Sequence, residues 1–275
     1  MRSVFEILPR DFEPGNCALI CEVSNEGFSY CIKDEEANSF LGLAVYHFDQ
    51  KKPAVGFPIA LQVLFHQQEV FSKKFKKVCV SYSFPQSVLI PFPMYNRGKN
   101  KTVMNMMFGD VQDNDMILTD VIADHSMYNC YRLPAATLDI IRTRFPTALI
   151  AHQYSHILKT AVDAGDRMQV IFYTQKIVVD LVKEGKHFLV NTFTYTSAQD
   201  VSYILLNICQ QFGINDIPLL ISGLIEENSA LYKEIYKYFN DIELANFREG
   251  YQYAEGITAF PSHYFSYIFD IDPCE

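Results

Sequence analysis

The chain has no tryptophan, no Cys-x-x-Cys pair and no apolar run approaching the ~20 residues of a membrane-spanning helix. No membrane span is therefore expected. The seven cysteines are an odd number, and Cys17, Cys21, Cys79 and Cys209 sit inside apolar patterns, so they read as small core residues in a reducing compartment. Met1–Arg10 lacks a sustained apolar segment and carries Glu6, which is not the pattern of a signal peptide. A soluble cytoplasmic protein is the expectation. Also missing are a Gly-x-Ser-x-Gly elbow, a Walker phosphate loop and a Gly-x-Gly-x-x-Gly turn, which leaves nucleophilic and dinucleotide sites of recognised type unsupported. Positive charge is in short supply: 23 Lys and Arg stand against 32 Asp and Glu, a net charge of -9. Binding to nucleic-acid phosphates depends on Lys and Arg, so no nucleic-acid partner is expected. The basic cluster Lys73, Lys74, Lys76 and Lys77 falls at the end of a predicted helix, where cations complement the macrodipole.

What is present is ample core material, 49% hydrophobic residues with 20% charged, enough for one molecule of two lobes. After a polar leader, strands are predicted at Asn16–Val23, Phe28–Ile32 and Phe40–Phe48, an antiparallel meander whose first turn is Asn25-Glu26-Gly27. A helix follows over Pro58–Phe75, then a strand over Lys77–Phe84. The stretch 85–134 reads as an insertion: a short strand or turn near Val88–Ile90, a Met-rich helix near Thr102–Phe108, and a hairpin or two sheet strands at Met116–Ala123 and Ser126–Leu133. A helix from Pro134, a strand at Thr147–Ala151 and a helix over Ser155–Ala164 ending at Gly165 complete the first half.

The second half repeats this order. Met168–Thr174, Ile177–Val182 and Phe188–Tyr195 form another meander. The clearest local signal in the chain comes next: Ser197 and Asp200 open a helix, Val201, Ile204, Leu205, Ile208 and Phe212 form its apolar face, and Gly213 stops it. The apolar run Pro218–Gly223 then leads into a helix opened by Asn228 and Ser229 and running to Phe239. The terminal stretch, Ile242–Phe247 and then Tyr251–Asp272, is rich in aromatics and is expected to add sheet.

Two meander–helix–strand units in tandem, with the Pro218–Phe239 stretch, resemble a duplicated ribonuclease-H-like core of the actin, heat-shock-70 and sugar-kinase ATPases. The chain also resembles an uncharacterised bacterial family of about this length with an actin-like ATPase fold and no assigned function. The resemblance implies an α/β protein with an N-terminal lobe over 1–165, carrying the 85–134 insertion, and a C-terminal lobe over 166–275.

Active members of that superfamily carry an acidic, glycine-rich phosphate loop in the first hairpin of each lobe and a Gly-Gly strand end that receives adenosine. Here Glu22-Val23-Ser24-Asn25-Glu26-Gly27 keeps acid and one glycine but lacks Asp-x-Gly, and Tyr173-Thr174-Gln175-Lys176 has neither. Gly223 is followed by Leu224, where a second glycine is expected. A metal-dependent hydrolase would need carboxylates to converge. Glu22, Asp120, Asp124 and Asp180 are the candidates, and nothing in their spacing shows convergence. His152 and His156, four apart, would share a helix face as zinc ligands do, but Gln153 stands where zincin proteases have Glu, so no metal site is expected. The leading expectation is a non-catalytic binding or scaffolding module with a protein partner and no cofactor. The alternative is a divergent Mg-dependent ATP-binding protein using the interlobe cleft, with Glu22, Ser24 and Gly27 at phosphate or magnesium and Ser222 and Gly223 at the nucleoside.

Overall fold

The computed structural model of the protein describes residues 2–48, 56–112, 114–160 and 165–271. Contacts divide the chain into two units, Met1–Lys159 with Gly250–Ala259 and Ile271–Glu275, and Thr160–Glu249 with Phe260–Asp270. The division at 159/160 thus falls a few residues before the expected boundary at 165/166, and the tail expected wholly in the second lobe is shared between the two units.

In the first unit, β1 (Arg2–Ile7), β2 (Cys17–Val23), β3 (Gly27–Asp34) and β4 (Ser39–His47) precede α1 (Gly56–Gln67) and β5 (Lys77–Tyr82). The insertion supplies β6 (Ser87–Pro91), α2 (Asn100–Phe108), β7 (Asp115–Ile122) and β8 (Met127–Pro134). Then come α3 (Ala135–Arg144), β9 (Leu149–His152) and α4 (Gln153–Lys159). The main sheet runs β1-β4-β3-β2-β5-β9, antiparallel through the meander and parallel from β2 to β9. β2 is buried at all seven residues, and a strand covered on both faces reads as a continuous apolar run instead of alternating. Leu61, Leu64 and Phe65 of α1 and Leu138 and Ile141 of α3 pack on Leu19, Cys21, Val23, Phe28 and Tyr30. Edge-on ring contacts join Phe28, Phe65 and Phe71 at the centre, where each fully buried ring contributes about 1.5–3 kcal/mol. The insertion forms its own antiparallel sheet, β6-β8-β7.

The second unit contains β10 (Arg167–Phe172), β11 (Lys176–Lys183), β12 (Lys186–Thr194), α5 (Ala198–Phe212), β13 (Leu219–Gly223), α6 (Ala230–Ile235) and β14 (Ile242–Leu244), in the sheet order β12-β11-β10-β13-β14. Counted from the first meander strand, both units have the order 3-2-1-4-5. The repeat extends to single hydrogen bonds. Ser24 N donates to Gly27 O as Tyr173 N does to Lys176 O, Phe48 N to Glu26 O as Tyr195 N to Gln175 O, and Ser83 N to Val23 O as Leu224 N to Phe172 O.

Four expectations are corrected. The leader is strand β1, held at the sheet edge by β4. The Pro58–Phe75 helix stops at Gln67 and is followed by a 3-10 turn, Glu69–Ser72. His152 ends β9 instead of lying on a helix with His156; of the helix expected to Ala164, residues 161–164 lie outside the described residues. Of the terminal stretch, Ile242–Phe247 does supply strand β14, but among the described residues Tyr251 onward adds only β15 (Gln252–Tyr253), beside β4, before the short helices α7 (Glu255–Thr258) and α8 (Ser266–Phe269).

Candidate functional site

In the first unit, the β2–β3 turn brings Glu22, Ser24 and Gly27 together. Ser24 Oγ accepts from the amides of Glu26 at 3.1 Å and Gly27 at 3.2 Å. These are the backbone donors that a phosphate loop would present to its ligand, and here they face the turn's own serine. Gly27 has a different reason to be glycine: a Cβ there would collide with the Tyr46 carbonyl, because β3 approaches β4 closely at Gly27 and His47. Glu22 is buried and level with Ser29 on β3 and Ser81 on β5, both also buried.

In the second unit, the equivalent turn is Tyr173 to Lys176. The Lys176 ammonium lies 4.6 Å from the Tyr173 ring centre, the residue is buried, and the Tyr195 hydroxyl donates to the Tyr173 carbonyl at 2.7 Å. Lys176 thus fills the position equivalent to Gly27. At the end of β13, Ser222 pairs with Ile171 and Gly223 with Phe172. Gly223 has φ +89°, and an added Cβ would lie 2.8 Å from the Phe172 nitrogen. The Leu224 amide donates to the Phe172 carbonyl at 2.9 Å. Both glycines therefore answer demands of strand pairing.

The acidic candidates do not converge. Asp124 stands in the exposed β7–β8 turn, and Asp180 accepts from or pairs with His187 Nδ1 at 2.7 Å on the second unit's sheet. Asp120 serves the insertion. Its carboxylate accepts from the His152 amide at 2.7 Å, Ser155 Oγ at 2.7 Å and the Tyr131 hydroxyl at 3.1 Å. Burial pushes the Asp120 carboxyl above its ordinary range, and these three donors pull it back. His152 Nδ1 accepts from the Tyr154 amide, so Nε2 carries the proton donated to the Phe84 carbonyl at 2.8 Å. With Asn129 bridging Ser87 and Ser155, the network ties the insertion sheet to β9 and α4. Both His152 ring nitrogens are engaged by backbone groups and Ser155 Oγ donates to Asp120 directly, so this is not a Ser-His-Asp relay. Among the described residues no group of three or more His, Cys, Asp or Glu could hold a metal ion. Nor is any described helix long and apolar enough to cross a membrane.

Two ribonuclease-H-like units of this kind define the actin-like ATPase fold. The chain belongs to the family of proteins of unknown function DUF3822, which it matches over residues 11–242. Among solved structures it is similar to a Bacteroides thetaiotaomicron VPI-5482 protein with an actin-like ATPase fold and unknown function, at 16% identity and a TM-score of 0.74 over 84% of this chain and 91% of that one. It is similar too to the PilM–PilN type IV pilus biogenesis complex, at 10% identity and a TM-score of 0.61 over 92% and 97% of the two chains. The ethanolamine utilization protein EutJ from Carboxydothermus hydrogenoformans is 9% identical, with a TM-score of 0.50 over 96% and 91%. At these identities the likeness is one of fold. No curated protein matches the chain.

Proposed function

We propose that this protein is a non-catalytic binding or scaffolding module on an actin-like ATPase fold, acting in the cytoplasm on a protein partner and using no nucleotide. The observation that carries this is the Ser24 hydroxyl, which occupies the Glu26 and Gly27 amides that a phosphate would need. Lys176 in place of the second loop's glycine agrees with it. A fold relative in the PilM–PilN complex belongs to a multi-protein assembly, which supports the same kind of role. The cytoplasmic placement rests on the described cysteines, all free and buried, and the expectation of no nucleic-acid partner on the net charge of -9.

Thermal unfolding with and without Mg-ATP tests the proposal. No change in Tm at millimolar nucleotide is expected. A ligand at about a hundred times its Kd adds roughly 2.7 kcal/mol to the native state. An upward shift of that size would overturn the proposal in favour of a divergent ATP-binding protein.

A further inference from the structure

Between Val70 and Gly109 the chain carries seven of its 23 Lys and Arg residues and none of its 32 acidic ones. Four of the seven, Lys73 to Lys77, share their end of the main sheet with acids: the Lys76 amide donates to Pro14 and Cys17 carbonyls, Cys17 pairs with Asp34, and the Glu35 amide donates to Asn16. The other three, Arg97, Lys99 and Lys101, stand on a 3-10 turn and the first turn of α2, at the tip of the insertion. The acid in the adjoining β7–β8 turn is Asp124.

The tip is built by specific contacts. The Phe92 amide donates to the Ser126 carbonyl at 2.8 Å, the Phe92 ring lies 4.8 Å from that of Tyr128, and Tyr95 stacks on Tyr128 at 3.8 Å. Asn100 Nδ2 donates to the Tyr95 hydroxyl at 3.3 Å and to Thr119 Oγ1 at 3.1 Å, and Val121 is level with Tyr128. On this base the outer side chains are wet: Met94 is 75% exposed, Val121 55% and Phe92 36%, and on α2 Met106 is 76% exposed. Of the Met-rich helix only Met104 is buried, so filling a core gap does not account for the others.

We propose that this tip is an interfacial membrane-docking site that seats on an anionic lipid surface. Phe, Met and Val side chains would enter the headgroup boundary, Arg97, Lys99 and Lys101 would meet lipid phosphates, and the tyrosine pair would lie at headgroup level. The acidic remainder of the chain favours presenting this end to a negative surface. A second copy is a poor occupant, because symmetric contact would set the three cations against their own counterparts. A groove-binding peptide is a poor one too, since the apolar side chains come from three separate elements, a 3-10 turn, the end of strand β7 and helix α2. The inference does not depend on the state of the Ser24 hairpin.

The test is co-sedimentation of the full chain with phosphatidylcholine vesicles and with vesicles of phosphatidylcholine and phosphatidylglycerol in equal parts. Pelleting is expected with the anionic vesicles, weakening as salt rises. Replacing Arg97, Lys99 and Lys101 together by Ala should lower the partition coefficient about a hundredfold, at about fivefold per cation. Met94→Ser with Val121→Ser should lower it at unchanged charge, and Lys73→Ala with Lys74→Ala should leave it as in the parent chain. The near-ultraviolet circular dichroism of each variant should match the parent's. No pelleting, equal pelleting on neutral vesicles, or a triple variant that binds like the parent would overturn the proposal. Retention on immobilised polyglutamate without pelleting would overturn it in favour of an acidic protein segment.

Discussion

Ser24 behaves as a turn cap, and that role predicts its mutational profile. Ser24→Ala leaves the buried Glu26 and Gly27 amides without their acceptor, so it should lower stability by about 1–2 kcal/mol in urea denaturation while leaving the response to Mg-ATP unchanged. A neutral Ser24→Ala would show that the turn does not need the hydroxyl. Two of the positive-φ glycines separate two effects. Gly213 has φ +64° at the end of α5 with open space beside it, whereas Gly223 has φ +89° and lies against Phe172. Gly213→Ala should therefore cost about 1 kcal/mol, and Gly223→Ala clearly more, because strain and collision act together. Equal losses in parallel denaturation curves would remove the collision. Asp120→Ala, which strips the acceptor from the His152 amide, Ser155 and Tyr131, should cost about 3 kcal/mol and speed hydrogen exchange at the His152 amide.

At the scale of elements, α5 is where local chemistry and structure agree most fully. Ser197 Oγ accepts from the Asp200 amide, and Asp200 accepts from the amides of Thr196 and Ser197 and from Thr196 Oγ1, a reciprocal capping box. The hydrogen bond from the Thr196 amide, then that from its hydroxyl, holds the Asp200 carboxyl down at about 2. A depressed folded value means that the ionised cap stabilises fully above about pH 4, the ordinary Asp range, and is lost as pH falls through about 2. An NMR titration of the Asp200 carboxyl carbon should show that midpoint, and Ser197→Ala should move it upward; a midpoint near 4 in the parent chain would contradict the box. Every signal for α5 lies within its own residues, which is why it was legible. β1 was not: Arg2–Ile7 is mostly exposed and owes its strand form to pairing with β4, far away in sequence. The tail misled for a related reason. Tyr264, Phe265, Tyr267 and Phe269 suit a half-buried strand by composition, but a 3-10 turn and a helical turn bury Phe265, Tyr267 and Phe269. At the hairpins the lost glycine and acid could be read directly, whereas the capture of two amides by Ser24 depends on turn geometry that no spacing encodes.

For the whole molecule, duplication persists in the backbone after the side chains have diverged. Glu26 and Gln175 offer equivalent carbonyls, and Gly27 and Lys176 occupy equivalent turn positions, although one position has no side chain and the other a buried ammonium. Such a repeat conserves strand order while leaving each loop free to lose its original chemistry. The segment after Glu249 has no counterpart in the repeat, yet it supplies core to both units: Ile257 is fully buried in the first, and Phe265, Ile268 and Phe269 are buried in the second. Four such side chains, at about 1.5–3 kcal/mol each, are comparable to the roughly 5–15 kcal/mol by which domains are stable. A chain ending at Glu249 should therefore fail to give a soluble, cooperatively melting species by size exclusion and circular dichroism. Within the full chain, Ile257→Ala should lower stability by about 2–5 kcal/mol through the cavity left against the first unit's sheet. A truncated chain that melts cooperatively near the parent Tm would instead make the tail an appendage, and the loss on Ile257→Ala would then have to fall to the level of an exposed substitution.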